Sequence, residues 1–316
     1  MCIRDRTYDG LAGGVPLPGQ KVRPHPHGSA GLTGLAMHAL DVAQQHPEPF
    51  AKGSAWAEKN DALFGPSARW STYSTAFLVC AHATHRSRGP QGLKLREHAA
   101  RLVSSQLESG SWNYGASAQG VDALGDHSNT QVAVHALWIA MHEVEYAVPK
   151  TTWKRVRDHF KRCQLKDGSW GYRPAKGGRA TGKTTKGTWV MTAAGLCSYA
   201  LAAAALKGGG NANVVKLRKD KVVVNAAKAL DALGPPDLAD GYQVWMLERV
   251  NAILGRPLAD WYVPAAKHLL KSQGKNGGWT PAKGAPYGDS RGVYDTALRV
   301  LFLARVGRRA VTSTGR

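Results

Sequence analysis

QLESGSW at 106–112, QLKDGSW at 164–170 and QGKNGGW at 273–279 write one turn three times: a glutamine, a glycine four residues on, and a closing tryptophan. A second repeat lies between these turns, where a threonine opens an apolar segment. It reads TGLAMHAL from Thr33, TAFLVCAH from Thr75, TQVAVHAL from Thr130, TAAGLCSY from Thr192 and TALRVLFL from Thr296. The widest interval, Thr192 to Thr296, is filled at its midpoint by YQVWMLERVNAIL, 242–254. Six units result, each a supersecondary block that cannot bury its apolar face alone.

The stretches ahead of the glutamines have helical periodicity. In TTWKRVRDHFKRCQ, 151–164, the apolar positions Trp153, Val156, Phe160 and Cys163 recur every three or four residues, with Lys154, Arg155, Arg157, Asp158 and Lys161 between them. That pattern predicts an outer helix with one wet face. The threonine-led segments are apolar nearly all round and predict enclosed inner helices. Alternating strand patterns are missing, and VVVN at 222–225 is too short and isolated to seed a sheet. The expected fold is all-α: an α/α toroid (an α6/α6 barrel) of about six helix-hairpin repeats over residues 25–305. Residues 1–24 are expected to be an irregular segment, artefactual or truncated, and 306–316 a basic tail.

The Gln-Trp turns and alternating helices resemble the repeat family of squalene-hopene-type triterpene cyclases and protein prenyltransferase β subunits, over nearly the whole chain. The resemblance implies that Gln106, Trp112, Gln164, Trp170, Gln273 and Trp279 tie neighbouring outer helices together. It also implies isoprenoid chemistry inside the ring. The cyclases protonate an alkene with the third residue of an Asp-x-Asp-Asp-Thr-Ala segment. The matching stretch, Gly292 to Ala297, keeps Asp295 but has Tyr294 where the acid would stand, and a phenol of pKa about 10 is a poor donor to an alkene. Asp295 then reads mainly as a helix N-cap. The prenyltransferases hold zinc with an Asp-x-Cys pair and a histidine. Here Asp126-His-Ser128 and Asp295 occupy those places, so zinc is not expected, no metal ligand is assigned and any cofactor is left unknown.

A catalytic reading therefore rests on Asp126, Asp295 and Tyr294, with either carboxylate as acid. A ligand-binding reading adds His127 at the rim, Trp138, Trp189, Tyr199 and Trp245 along a cavity wall, and Arg179 and Lys183 from a basic loop to hold a diphosphate. Each has a plainer structural counterpart: Asp126 and His127 as helix-capping residues, the aromatics as space-fillers. Whether the chain is an enzyme is left open. GGRATGKT, 177–184, fits the P-loop formula, but no strand precedes it, so it reads as a flexible basic loop.

Lys and Arg total 42 against 22 acidic residues, a formal net charge of +20. So large an excess attracts anions. The expected ligand is an isoprenoid or anionic lipid in the cavity. The alternative is a non-catalytic scaffold that binds an acidic membrane surface or a protein partner through its basic face. Specific nucleic-acid binding is not expected, because no zinc finger, RRM-like motif or helix-turn-helix is present. The low acidic content also counts against glycoside hydrolysis by paired carboxylates. Cys2, Cys80, Cys163 and Cys197 suggest no disulfide framework. No signal peptide or membrane span is legible, and the compartment is left open.

Overall fold

The computed structural model describes residues 26–43, 47–65, 71–115, 125–175, 182–279 and 292–304. The segments 1–24 and 306–316, and Arg179 in the basic loop, lie outside the described residues. Among the described residues the chain is all-α, with twelve α-helices, two short 3-10 helices and no strand.

The five threonine-led segments and the stretch at 242–254 form α1 (Pro26–Val42), α3 (Ser71–Thr84), α5 (His127–Glu143), α7 (Trp189–Ala205), α10 (Gly241–Leu254) and α12 (Val293–Ala304). Every residue of α3 is buried, and so is all of α7 from Val190 to Ala204. Helices buried on all sides need neighbours on all sides. In contact order α1 packs on α3, α3 on α5, α5 on α7, α7 on α10, α10 on α12, and α12 on α1 again.

Amphipathic helices lie against this set. They are α2 (Pro47–Lys59) on α1, α4 (Gly89–Ser104) on α3, α6 (Lys150–Cys163) on α7, α9 (Lys221–Ala232) also on α7, and α11 (Leu258–Ser272) on α10. A short α8 (Asn211–Lys216) precedes α9. VVVN falls inside α9. A sixth long outer helix has no counterpart among the described residues. On α6 the buried residues are Thr152, Trp153, Val156, His159, Phe160 and Cys163. The apolar positions are those the periodicity names, and His159 joins them.

The three Gln-Trp turns repeat their hydrogen bonds as well as their letters. The indole N–H of Trp112, Trp170 and Trp279 donates to the carbonyl of Leu102, Phe160 and Leu269 in the preceding outer helix, over 2.7, 2.9 and 3.0 Å. Their backbone N–H groups donate to the hydroxyls of Thr130, Thr192 and Thr296 on the following inner helix. Each tryptophan thus joins two layers. Burying roughly 200 Å² of ring at about 25 cal/mol per Å² contributes some 5 kcal/mol each before the entropy of ordering is charged.

The glutamine bridges sideways. Gln106 Nε2 donates to Gly110 O within its own turn and to Thr152 O in the first turn of α6, both over 3.2 Å. Gln164 Nε2 does the same to Gly168 O and Val222 O, both over 3.0 Å, so α6 is stapled to α9. The glycine is required by both conformation and space. Gly168 has φ of +87°, and a Cβ there would lie 2.3 Å from Asn225 O on α9.

Candidate functional site

Asp126 is the N-cap of α5, with extended backbone and no exposed surface. Its Oδ1 accepts from Ser128 N at 3.0 Å, Ser128 Oγ at 2.6 Å and Asn129 N at 2.8 Å, while Oδ2 accepts from Asn129 Nδ2 at 2.7 Å. Its own N–H donates to Trp112 O. Burial pushes the carboxyl above its ordinary range, and the bonds from Ser128 and Asn129 pull the other way. A raised carboxyl is what a general acid needs, but an acid must also come within hydrogen-bond reach of a substrate, and Asp126 is closed off.

The repeat itself supplies the structural reading of this residue. Thr188 caps α7 and its N–H donates to Trp170 O, as that of Asp126 does to Trp112 O. In each case the threonine four residues on, Thr130 or Thr192, bonds back to the cap carbonyl. Thr296 N bonds to Gly292 O in the same way. The cap positions are therefore Asp126, Thr188 and Gly292, and Asp295 is the counterpart of Asn129.

Asp295 accordingly does not cap its own helix, as the sequence had suggested. It lies inside the first turn of α12, which begins at Val293. Its Oδ1 accepts from Gly241 N at 2.9 Å, where α10 starts, and from Arg299 Nη1 at 2.8 Å. Burial raises this carboxyl while Arg299 and the Gly241 amide lower it. Tyr294 is buried in the main core at 3% exposure.

The aromatic residues expected along a cavity wall divide three ways. Trp138 and Trp245 have no exposed surface, although side chains lining an open cavity would be accessible to a water molecule. Tyr199 points to the outer layer: its hydroxyl donates to Asp220 Oδ2, the N-cap of α9, over 3.0 Å. Trp189 is half-buried between two core clusters. Lys183 is exposed in the turn at 182–186.

Helices α5 and α10 are not consecutive in contact order, yet their side chains meet. Tyr242 Oη donates to Gln131 Oε1 over 2.8 Å, and Arg249 Nη2 donates to His135 Nε2 over 2.9 Å. The Arg249 guanidinium sits 3.8 Å over the Trp245 ring, and His135 meets that ring edge-on at 5.2 Å. Buried polar groups and aromatic rings thus fill the space between these helices.

Two groups of metal-ligating side chains escaped sequence reasoning. His38, Cys80 and His135 form one, His127, His159 and Cys163 the other; in each, one donor atom per residue lies within 4.8 Å of the others, and all six residues are buried. In the first group the Arg249 cation already occupies His135 Nε2. In the second, His159 and Cys163 stand one turn apart on the buried face of α6, a spacing visible in the sequence. The partner His127, 32 residues earlier, becomes visible only in the fold.

No family model and no curated protein sequence matches this chain.

Proposed function

We propose that the chain is an α/α toroid of the Gln-Trp repeat type and serves as a non-catalytic scaffold, holding an acidic membrane surface against its basic exterior. The cyclic contact order of α1, α3, α5, α7, α10 and α12 supports the closed ring. The observation that carries the function is the filled interior, where Trp138, Trp245, Tyr242 and His135 leave 0–4% of their surface exposed.

An isoprenoid held within the ring would need an accessible apolar wall and a carboxylate free to act. The described residues supply neither, since Asp126 and Asp295 are spent on helix starts. The exterior has the right chemistry for an anionic surface. Lys150, Lys154, Arg155, Lys161 and Arg162 on α6 are exposed, as are Lys216, Arg218 and Lys219 just before α9 and Lys221 at its start, and Gln164 staples these two helices together.

Sedimentation with vesicles tests the reading. Binding to phosphatidylserine-containing vesicles that falls steeply between low and physiological salt, with none to phosphatidylcholine, is the expected result. Equal partition to both would remove the proposal.

A further inference from the structure

His127 opens α5, while His159 and Cys163 lie one helical turn apart at the end of α6. The three meet beneath two stapled turns. His127 Nδ1 lies 2.7 Å from Gly171 O, and His159 Nδ1 lies 3.0 Å from Ser109 O. A carbonyl only accepts, so each Nδ1 carries the proton and donates it, and each Nε2 keeps a lone pair. Both Nε2 atoms are buried and have no hydrogen-bond partner among the described residues. His127 is 0% exposed and His159 1%. Two bare acceptors enclosed side by side bear a full desolvation penalty unless something electrophilic sits between them. The rings lie edge to face with centroids 5.2 Å apart.

We propose that His127, His159 and Cys163 are the protein ligands of one zinc-class cation, bound between α5 and α6. The donor set is chemically apt: two neutral imidazoles and one thiol suit a borderline-soft ion, and backbone carbonyls holding the distal ring N–H groups are the usual outer partners of metal-bound histidine. Tetrahedral zinc asks for donors about 3.3–3.6 Å apart. One donor atom from each of the three lies within 4.8 Å of the others, so the trio closes by at most about 1.5 Å to reach that.

Burial holds His127 down to about 4 and His159 well below its ordinary value, so both are unprotonated at neutral pH. Burial also pushes the Cys163 thiol up to about 11, against the pull of Arg162. Binding forms the metal–sulfur bond and releases the thiol proton to solvent, so affinity rises with pH. Arg162, the cation acting on both His159 and Cys163, is exposed and donates to Ser109 O over 3.0 Å. The ion would fasten α5 to α6 at the level of the Trp112 and Trp170 turns, a structural role independent of what the basic exterior binds.

The full chain, stripped with a chelator and re-equilibrated with Co²⁺ and separately with Zn²⁺, provides the test. We expect one ion per chain retained through buffer exchange. With cobalt we expect the ultraviolet thiolate-to-metal charge-transfer band that marks a Co–S bond. Cys163→Ser should abolish that band while helical circular dichroism is kept, His159→Gln should weaken retention at least tenfold, and Cys197→Ser should leave both unchanged. Failure of the wild-type chain to retain an ion or show the band overturns the proposal whatever the variants do. So does a band that survives Cys163→Ser or disappears in Cys197→Ser.

Discussion

Tyr242 and Gln131 stand 111 residues apart in the chain, and the phenol of one donates to the carboxamide oxygen of the other over 2.8 Å. The bond joins α10 to α5, two helices that are not consecutive in contact order. Tyr242→Phe leaves a buried carboxamide oxygen without this donor and should cost about 1–3 kcal/mol. Adding Gln131→Leu should recover part of that loss. Urea denaturation of the two single variants and the double variant measures the coupling, and strictly additive losses would mean that the bond contributes nothing.

The glycines of the turns allow an internal comparison. Gly168 and Gly277 both have positive φ, +87° and +78°, but a Cβ at 168 meets Asn225 O at 2.3 Å whereas one at 277 meets nothing within 4 Å among the described residues. Gly277→Ala should therefore cost only the backbone strain, about 1–2 kcal/mol. Gly168→Ala adds a clash that pushes α9 away, for a total of about 3 kcal/mol or more. Thermal denaturation of the two variants gives the ranking; equal losses would show that space at 168 is not limiting.

Asp126→Ala strands two backbone amides and two side-chain donors at once, and should destabilise by about 2–4 kcal/mol. Thr188→Ala, at the equivalent position of the next repeat, removes a single cap bond to Met191 N and should cost about 1 kcal/mol. A milder effect at Asp126 than at Thr188, read from denaturant midpoints, would contradict the structural assignment of this carboxylate.

Acid should weaken the fold partly through His98. Burial, with a smaller push from Arg101 and Lys94 against the pull of Asp61 and Glu97, holds His98 down to about 4 from 6.5. Between those values the unfolded chain takes up a proton that the folded chain refuses, so stability falls as pH drops through that window. The loss reaches on the order of 3 kcal/mol below about 4. His98→Gln should shrink the difference between denaturation midpoints at pH 7 and pH 4.5, and an unchanged difference would refute the assignment.

Much of the fold could be read from the letters, because the repeat is local. The Gln-x-x-x-Gly-x-Trp turns and the threonine-led segments announce helix ends and buried helices, and all five threonine-led segments are helical, as is 242–254. The candidate site residues are harder to place, because their environment is set by distant partners. Nothing in the sequence tells that Tyr199 turns outward to Asp220, or that the Asp295 carboxylate receives the amide of Gly241, 54 residues away. The Asp295-Thr296 pair imitates a helix cap, although Asp295 lies inside the first turn of α12. The repeat register, counted back from Thr296, places the cap at Gly292. His159 and Cys163 carried a readable one-turn spacing, but the periodicity of α6 made Cys163 look like one more core position.

The filled interior is tested most directly by native mass spectrometry of the chain with squalene and geranylgeraniol, two uncharged isoprenoids that the basic exterior has no charge to attract. No saturable binding of either is expected, because Trp138 and Trp245 are packed without exposed surface. Saturable binding of one molecule per chain, lost on Trp245→Ala or displaced by a longer isoprenoid, would contradict the packed interior and favour the ligand-binding reading.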